Sequence, residues 1–263
     1  MWRRVFLGLF VHVLVLSAFS ARSEPLTVLV TGATGRTGVA LFTLLKQKSV
    51  ATRALVRSIS KAREVLNCSK CDASEGIYVG DVTQPDTLTA ALTGVDTVAI
   101  AIGAPGNASS SLEKQIDYEG VINQVAAHAT LNGPSKGLPN LRVVLCSSMG
   151  TTVRNPPAFM GGTDLFWKLN AEAFLGASQV GSVVVKPCGL GSGAGGTKAI
   201  AAFHDDKIPV GSLGPIDRAD VAAVMAEAVT GRYAGLRFGL CTGKDGPPTA
   251  PKAVLAAAKY PWA

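Results

Sequence analysis

The segment Thr31-Gly32-Ala33-Thr34-Gly35-Arg36-Thr37-Gly38 carries the clearest chemistry in the chain. It lies between a β-branched run and a helical one, the context in which a glycine motif binds a dinucleotide pyrophosphate. Gly32 permits a tight turn, Gly35 lets a phosphate approach the backbone, and Gly38 lets the helix pack on the strand. The helix N-terminus turns N–H groups and partial positive charge toward the phosphates. Thr34, Arg36 and Thr37 complete this loop as cofactor contacts. The next strand ends at Arg57, where NAD-selective sites place Asp or Glu on the ribose hydroxyls. Two guanidiniums, Arg36 and Arg57, can fork a 2′-phosphate that a carboxylate would repel, so NADP(H) is the expected cofactor. Gly80-Asp81-Val82 follows the third strand, beside the expected adenine. Asp81 either accepts from the adenine amino group or caps the next turn.

Other reactive residues are sparse. Cys68-Ser69-Lys70-Cys71 is a lone C-x-x-C pair without a second pair or a nearby His-x-x-x-His, so a four-ligand zinc site lacks ligands. Two unpaired loop thiols are the favoured reading, and a loop disulfide is the alternative. His128 and His204 stand in unrelated contexts, and no metal site is expected.

These residues need a scaffold. The chain has 263 residues, 48% hydrophobic and 16% charged, with 29 glycines. That apolar content excludes disorder, and five cysteines exclude a disulfide-dense mini-scaffold. Lys and Arg exceed Asp and Glu by 25 to 18, but they are scattered, so nucleic acid is not an expected partner. From Leu26 onward, continuous apolar strands alternate with helical spacing. The strands are expected at 27–30, 51–56, 76–79, 96–102, 141–146, 182–185 and 237–240. The helices are expected at 37–46, 60–66, 86–92, 113–129, 165–175, 219–229 and 251–258. This pattern predicts an α/β protein with a doubly wound parallel sheet, a single Rossmann domain over residues 25–263. Gly189–Gly196, with five glycines in eight residues, reads as a flexible loop after the sixth strand.

Residues 1–24 fall outside that rhythm. Met1-Trp2-Arg3-Arg4 is followed by an apolar run from Val5 to about Phe19 and then by small residues. This is a signal-peptide pattern, with Ala18 and Ser20 as the small residues before the cut. An uncleaved segment would be the chain's only expected link to a membrane. Ser17-Ala18-Phe19 also resembles the cleavage signature of bipartite plastid presequences in algae with complex plastids. The secretory route or a plastid is therefore the expected destination.

Further residues carry a family resemblance. The Gly-x-x-Gly-x-x-Gly spacing resembles the extended and atypical short-chain dehydrogenase/reductases. Val143-Val144-Leu145-Cys146-Ser147-Ser148-Met149-Gly150, Phe166-Trp167-Lys168-Leu169-Asn170-Ala171-Glu172 and Ile216-Asp217-Arg218-Ala219-Asp220-Val221 resemble segments of the plant and algal subgroup related to NmrA-like proteins. The resemblance runs from residue 27 to about 258. It implies an NAD(P)-binding Rossmann domain, often monomeric, acting on a small molecule. Lys168 matches the superfamily lysine that binds the nicotinamide ribose. Ser148 matches the serine that polarises a substrate carbonyl. Pro187 lies where the family contacts the nicotinamide amide through its backbone, and Asn123 where it braces the fold. The superfamily's catalytic Tyr stands four residues before the lysine, and here Asp164 occupies that place. Asp164 serves as an acid only if burial raises its pKa, and water is the expected proton donor. The leading expectation is an NADP(H)-dependent reductase of a small carbonyl or conjugated acceptor. The alternative is a non-catalytic NADP-binding redox sensor or scaffold. An epimerase or dehydratase would need the absent Tyr.

Overall fold

Val28 and Val30 pack into one hydrophobic cluster and Leu29 into another, and all three are buried. Successive side chains of a strand point to opposite faces, so such a run suits only a sheet covered on both sides. The structure, a computed structural model, describes residues 25–154, 163–207, 214–243 and 246–259. The targeting segment expected over residues 1–24 lies outside the described residues.

The strands are β1 (Thr27–Thr31), β2 (Ala51–Val56), β3 (Ile77–Val79), β4 (Thr97–Ile100), β5 (Arg142–Cys146), β6 (Gly181–Pro187), β7 (Leu190–Gly191), β8 (Ile200–Phe203), β9 (Ile216–Asp217) and β10 (Leu236–Thr242). The helices are α1 (Arg36–Gln47), α2 (Ile59–Val65), α3 (Thr89–Leu92), α4 (Ser110–Glu113), α5 (Gly120–Lys136), α6 (Asp164–Ala177), α7 (Arg218–Thr230) and α8 (Pro251–Ala257). The main sheet has the order β3-β2-β1-β4-β5-β6-β10-β8, and β7 pairs with β9 apart from it. Leu41 of α1, Met225 of α7 and Leu255 of α8 fill one face of the sheet. Leu88 beside α3, Val125 of α5 and Leu175 of α6 fill the other. The chain winds outward from β1 to β3, then returns to place β4 on the other side of β1, with Thr31 paired to Ile100. This reversal opens the crevice where open α/β sheets bind ligands.

Three expectations need correction. The sheet is not wholly parallel, because β8 runs antiparallel to β10, with Gly239 opposite Phe203. β8 is only four residues long and is half-buried beyond its first, and it forms as a strand by pairing with the edge of β10. The helix expected over 113–129 is instead α4, a π-helical turn over Lys114–Glu119, and α5 reaching Lys136. Apolar spacing fades after Ala129 because buried polar side chains continue the packing. Asn132 donates to the Leu92 carbonyl at 3.0 Å and accepts from the Gly94 N–H at 2.8 Å. Finally, Cys68 and Cys71 are joined in a disulfide, the alternative rather than the favoured reading.

A second disulfide, Cys188–Cys241, had no sequence signal. It follows from register: Pro187 at the end of β6 pairs with Leu240 of β10, which brings the residues that follow each, Cys188 and Cys241, side by side. The glycine-rich stretch after β6 is also better anchored than its composition suggests. Asp217 accepts from the Gly193 N–H at 2.7 Å, and Asp220 accepts from the Gly196 N–H at 2.6 Å. A Cβ on Gly193 would lie 2.5 Å from an Asp217 carboxylate oxygen and would push that carboxylate aside. Asp220 thus does more than complement the start of α7.

Candidate dinucleotide and substrate site

The glycine turn is built as its spacing predicts. Gly32 has a φ of +67°, and a Cβ there would lie 2.3 Å from the Ala101 carbonyl oxygen on the β4 side. A Cβ on Gly38 would lie 2.0 Å from the Gly32 carbonyl oxygen, so α1 crosses its own turn at backbone distance. Gly35 caps α1 without a side-chain hydrogen bond, and the first turn of α1 holds no acid. Its orphan N–H groups remain available to an anion. Gly32, Thr34 and Gly35 line a cleft of about 410 Å³ between the turn and the end of β4. Backbone cradle, helix end and cleft together fit a dinucleotide, and a nicotinamide dinucleotide bound there supplies a hydride.

Leu55, Arg57, Lys61, Gly80 and Asp81 line the end of the cleft beside β2 and β3. Arg57 stands where the sequence placed it, at the end of β2. Lys61 was missed, although Arg57 and Lys61 flank the start of α2, whose cap Ser58 accepts from the Lys61 N–H at 3.3 Å. Arg36 is exposed and is not among the lining residues, while Thr37 is buried in the first turn of α1. Asp81 caps the following turn: one carboxylate oxygen accepts from both the N–H and the hydroxyl of Thr83 at 2.9 Å. Asn123 donates to the Val82 carbonyl at 2.9 Å and braces this wall.

At the other end, Gly103 and Pro105 continue the cleft past β4. An ion pair stands behind Gly103, with Lys168 Nζ 2.5 Å from Asp117 Oδ1. A Cβ on Gly103 would lie 3.8 Å from that oxygen and 3.9 Å from the ammonium. Asp117 sits in the π-helical turn, its side chain 1% exposed, and also accepts from the Ala104 N–H at 3.3 Å. The wider π turn brings the acid beneath the β4 loop, a local distortion common at functional sites. No sequence signal marked Asp117.

The two serines after β5 divide their work. Ser147 is buried and donates to Glu172 at 2.5 Å, in a network with Thr151 and Arg237. Ser148 is half-buried, and its hydroxyl donates to the adjacent Met149 carbonyl at 3.0 Å. Ser148 is not among the residues that line the cleft. Pro187 closes β6, and its carbonyl accepts from the Met149 N–H at 2.9 Å, which joins the ends of β5 and β6. Cys146, beside Lys168, has its thiol pushed up to about 11 by burial, against the pull of Lys168 and Arg218, and is no nucleophile near neutral pH.

Asp164 opens α6 one turn before Lys168. Burial raises its pKa. The Leu165 N–H and Lys168 oppose that shift, and the carboxylates of Asp117 and Glu113 add to it. Its Oδ1 is buried and has no hydrogen-bond partner among the described residues.

Strand order, glycine turn and crevice define a dinucleotide-binding Rossmann protein. A family model described as NAD(P)H-binding matches residues 32–232, and the chain belongs to that family. It is 30% identical over 231 residues to an uncharacterized chloroplastic protein of Arabidopsis thaliana, covering 80% of this chain and 67% of that one. It is 28% identical over 247 residues to sanguinarine reductase of Eschscholzia californica, covering 79% and 85%. Among solved structures, one from Bacillus halodurans named for the NAD-dependent epimerase/dehydratases superposes with a TM-score of 0.70 at 25% identity, covering 88% and 99%. The anaerobillin reductase of Escherichia coli O157:H7 gives 0.65 at 20% identity, covering 84% and 99%, a likeness of fold alone.

Proposed function

We propose that the protein is an NADP(H)-dependent reductase of a small carbonyl or conjugated acceptor, acting as a monomer. The observation that carries this reading is the cleft itself. It runs from two cations, Arg57 and Lys61, past the glycine turn to Gly103, with the Lys168–Asp117 pair behind that glycine. The cations suit a 2′-phosphate, which NADP(H) has and NAD(H) lacks. Lys168 orients the nicotinamide ribose, and Ser148 donates to the acceptor oxygen as charge develops there. A relative named as a reductase supports the same reaction class.

Arg57→Glu tests the cofactor. It is expected to weaken NADPH binding by roughly 1.5–3 kcal/mol while NADH binding changes little. Equal losses for both dinucleotides by calorimetry contradict the assignment. A panel of quinones and conjugated carbonyls tests the chemistry. One observation favours a second reading, a non-catalytic NADP-binding sensor or scaffold: Asp164 stands in the place of the superfamily Tyr. Tight NADPH binding with no turnover on the panel selects that reading.

A further inference from the structure

We propose that Asp164 is the proton donor of the reduction, and that Asp117 makes this possible by holding the Lys168 ammonium to itself. The proposal rests on the reductase reading above and replaces water, the donor expected from the sequence. Four observations carry it. Asp164 and Lys168 lie four residues apart on α6, so they share one helix face, as do the Tyr and Lys of the wider superfamily. Asp164 has no ion-pair partner among the described residues, whereas Lys168 is paired at 2.5 Å to a different acid, Asp117. One oxygen of Asp164 is buried without a hydrogen-bond partner among the described residues. The charges facing it are Lys168 on its own helix, Asp117 on the π-helical turn and Glu113 on α4, so carboxylates outnumber the ammonium.

Two neighbouring carboxyl groups with opposed surroundings take different roles. Asp117, its side chain 1% exposed, is the ion-pair partner of the Lys168 ammonium. Asp164, crowded by negative charge and half-buried, holds its proton to higher pH than an ordinary aspartate. Its position at the start of α6 works against this, because a helix N-terminus favours the anion. The net shift is nevertheless upward, with burial the largest cause. The step balances. The acceptor carbon gains a hydride from the nicotinamide, the carbon–oxygen π pair moves onto oxygen, and that oxygen takes the proton from Asp164. NADPH leaves as NADP+, and water reprotonates the Asp164 carboxylate.

The test needs one readout without turnover and one with it. In the first, the side-chain carboxyl of Asp164 is titrated by carbon-13 NMR in the full chain. Its midpoint is expected above the ordinary aspartate range. In Asp117→Asn it is expected to fall, because Lys168 is released to pair with Asp164. In the second, turnover is measured against pH with NADPH and an acceptor from the panel. Wild type is expected to lose rate as pH rises through the Asp164 midpoint, and Asp164→Asn to lose that limb with on the order of 10²-fold of its rate. Asp164 titrating in the ordinary range, or Asp164→Asn retaining wild-type rate and limb, overturns the proposal while the reductase reading stands. A wild type that binds NADPH but reduces no acceptor removes that reading, and the proposal with it. Should Asp117→Asn fail to fold, the wild-type titration and the Asp164→Asn profile still decide the matter.

Discussion

A carboxyl group that holds its proton more tightly in the folded chain than in the unfolded one makes stability fall as pH rises. Between the two pKa values the native state binds more protons than the unfolded state. Asp164 is such a group, raised first by burial and then by Asp117 and Glu113 against the Leu165 N–H and Lys168. It costs stability near neutral pH, where the unfolded chain would have released the proton freely. Asp164→Asn is therefore expected to melt higher than wild type at pH 7, with the gap closing below the ordinary value of 3.8. Thermal melts across that range check it, and a variant that melts lower at pH 7 contradicts the sign. Residue types alone showed the glycine turn and Arg57. They did not show Lys61, which reaches the cleft only because α2 begins beside it.

Elements are joined here by buried charge as well as by apolar packing. Lys186 on β6 and Asp206 beyond β8 meet at 2.5 Å, each side chain 1% exposed. The same carboxylate accepts from the N–H groups of Gly150 and Thr152 and from the Thr152 hydroxyl, so it also anchors the loop after β5 that carries Ser148. Burial alone would raise the Asp206 pKa, but these donors and Lys186 outweigh it and the net shift is downward. A lowered folded value means stability present above the ordinary carboxylate range and lost as pH falls through the folded value. Asp206→Asn leaves a buried ammonium without its counter-charge and is expected to cost about 3–5 kcal/mol at neutral pH. Urea unfolding at neutral and strongly acid pH measures this, and the gap between variant and wild type should narrow in acid. An undiminished gap places the loss in packing rather than charge.

At the scale of the whole molecule, the described residues form an eight-stranded Rossmann sheet with the small β7–β9 pair beside it, and none of their helices is long and apolar enough to cross a membrane. The formal charge of +7 includes Arg3 and Arg4 of the N-terminal segment. If residues 1–24 act as the targeting signal that their pattern suggests, they are removed on the way to the secretory route or a plastid. The mature chain is expected to begin between Phe19 and Glu24. N-terminal sequencing of the protein from its native cells tests this, and a cytosolic chain starting at Met1 refutes it.

Local patterns were enough to determine the doubly wound class, the glycine turn and a nicotinamide dinucleotide as cofactor. Apolar strand runs, a glycine at each close backbone approach and a cation at a strand end are all set within a few residues of sequence. Tertiary structure decided what depends on partners distant in the chain. The antiparallel β8 is a strand because β10 offers it an edge, and Cys188 meets Cys241 because two parallel strands share a register. Asp117 and Lys168 are 51 residues apart, and neither helix pattern shows that a π turn brings them together. Whether Asp164 resembles an ordinary carboxylate or a proton donor depends on burial and on which acid takes the lysine, and both are set only when α4, the π turn and α6 pack together.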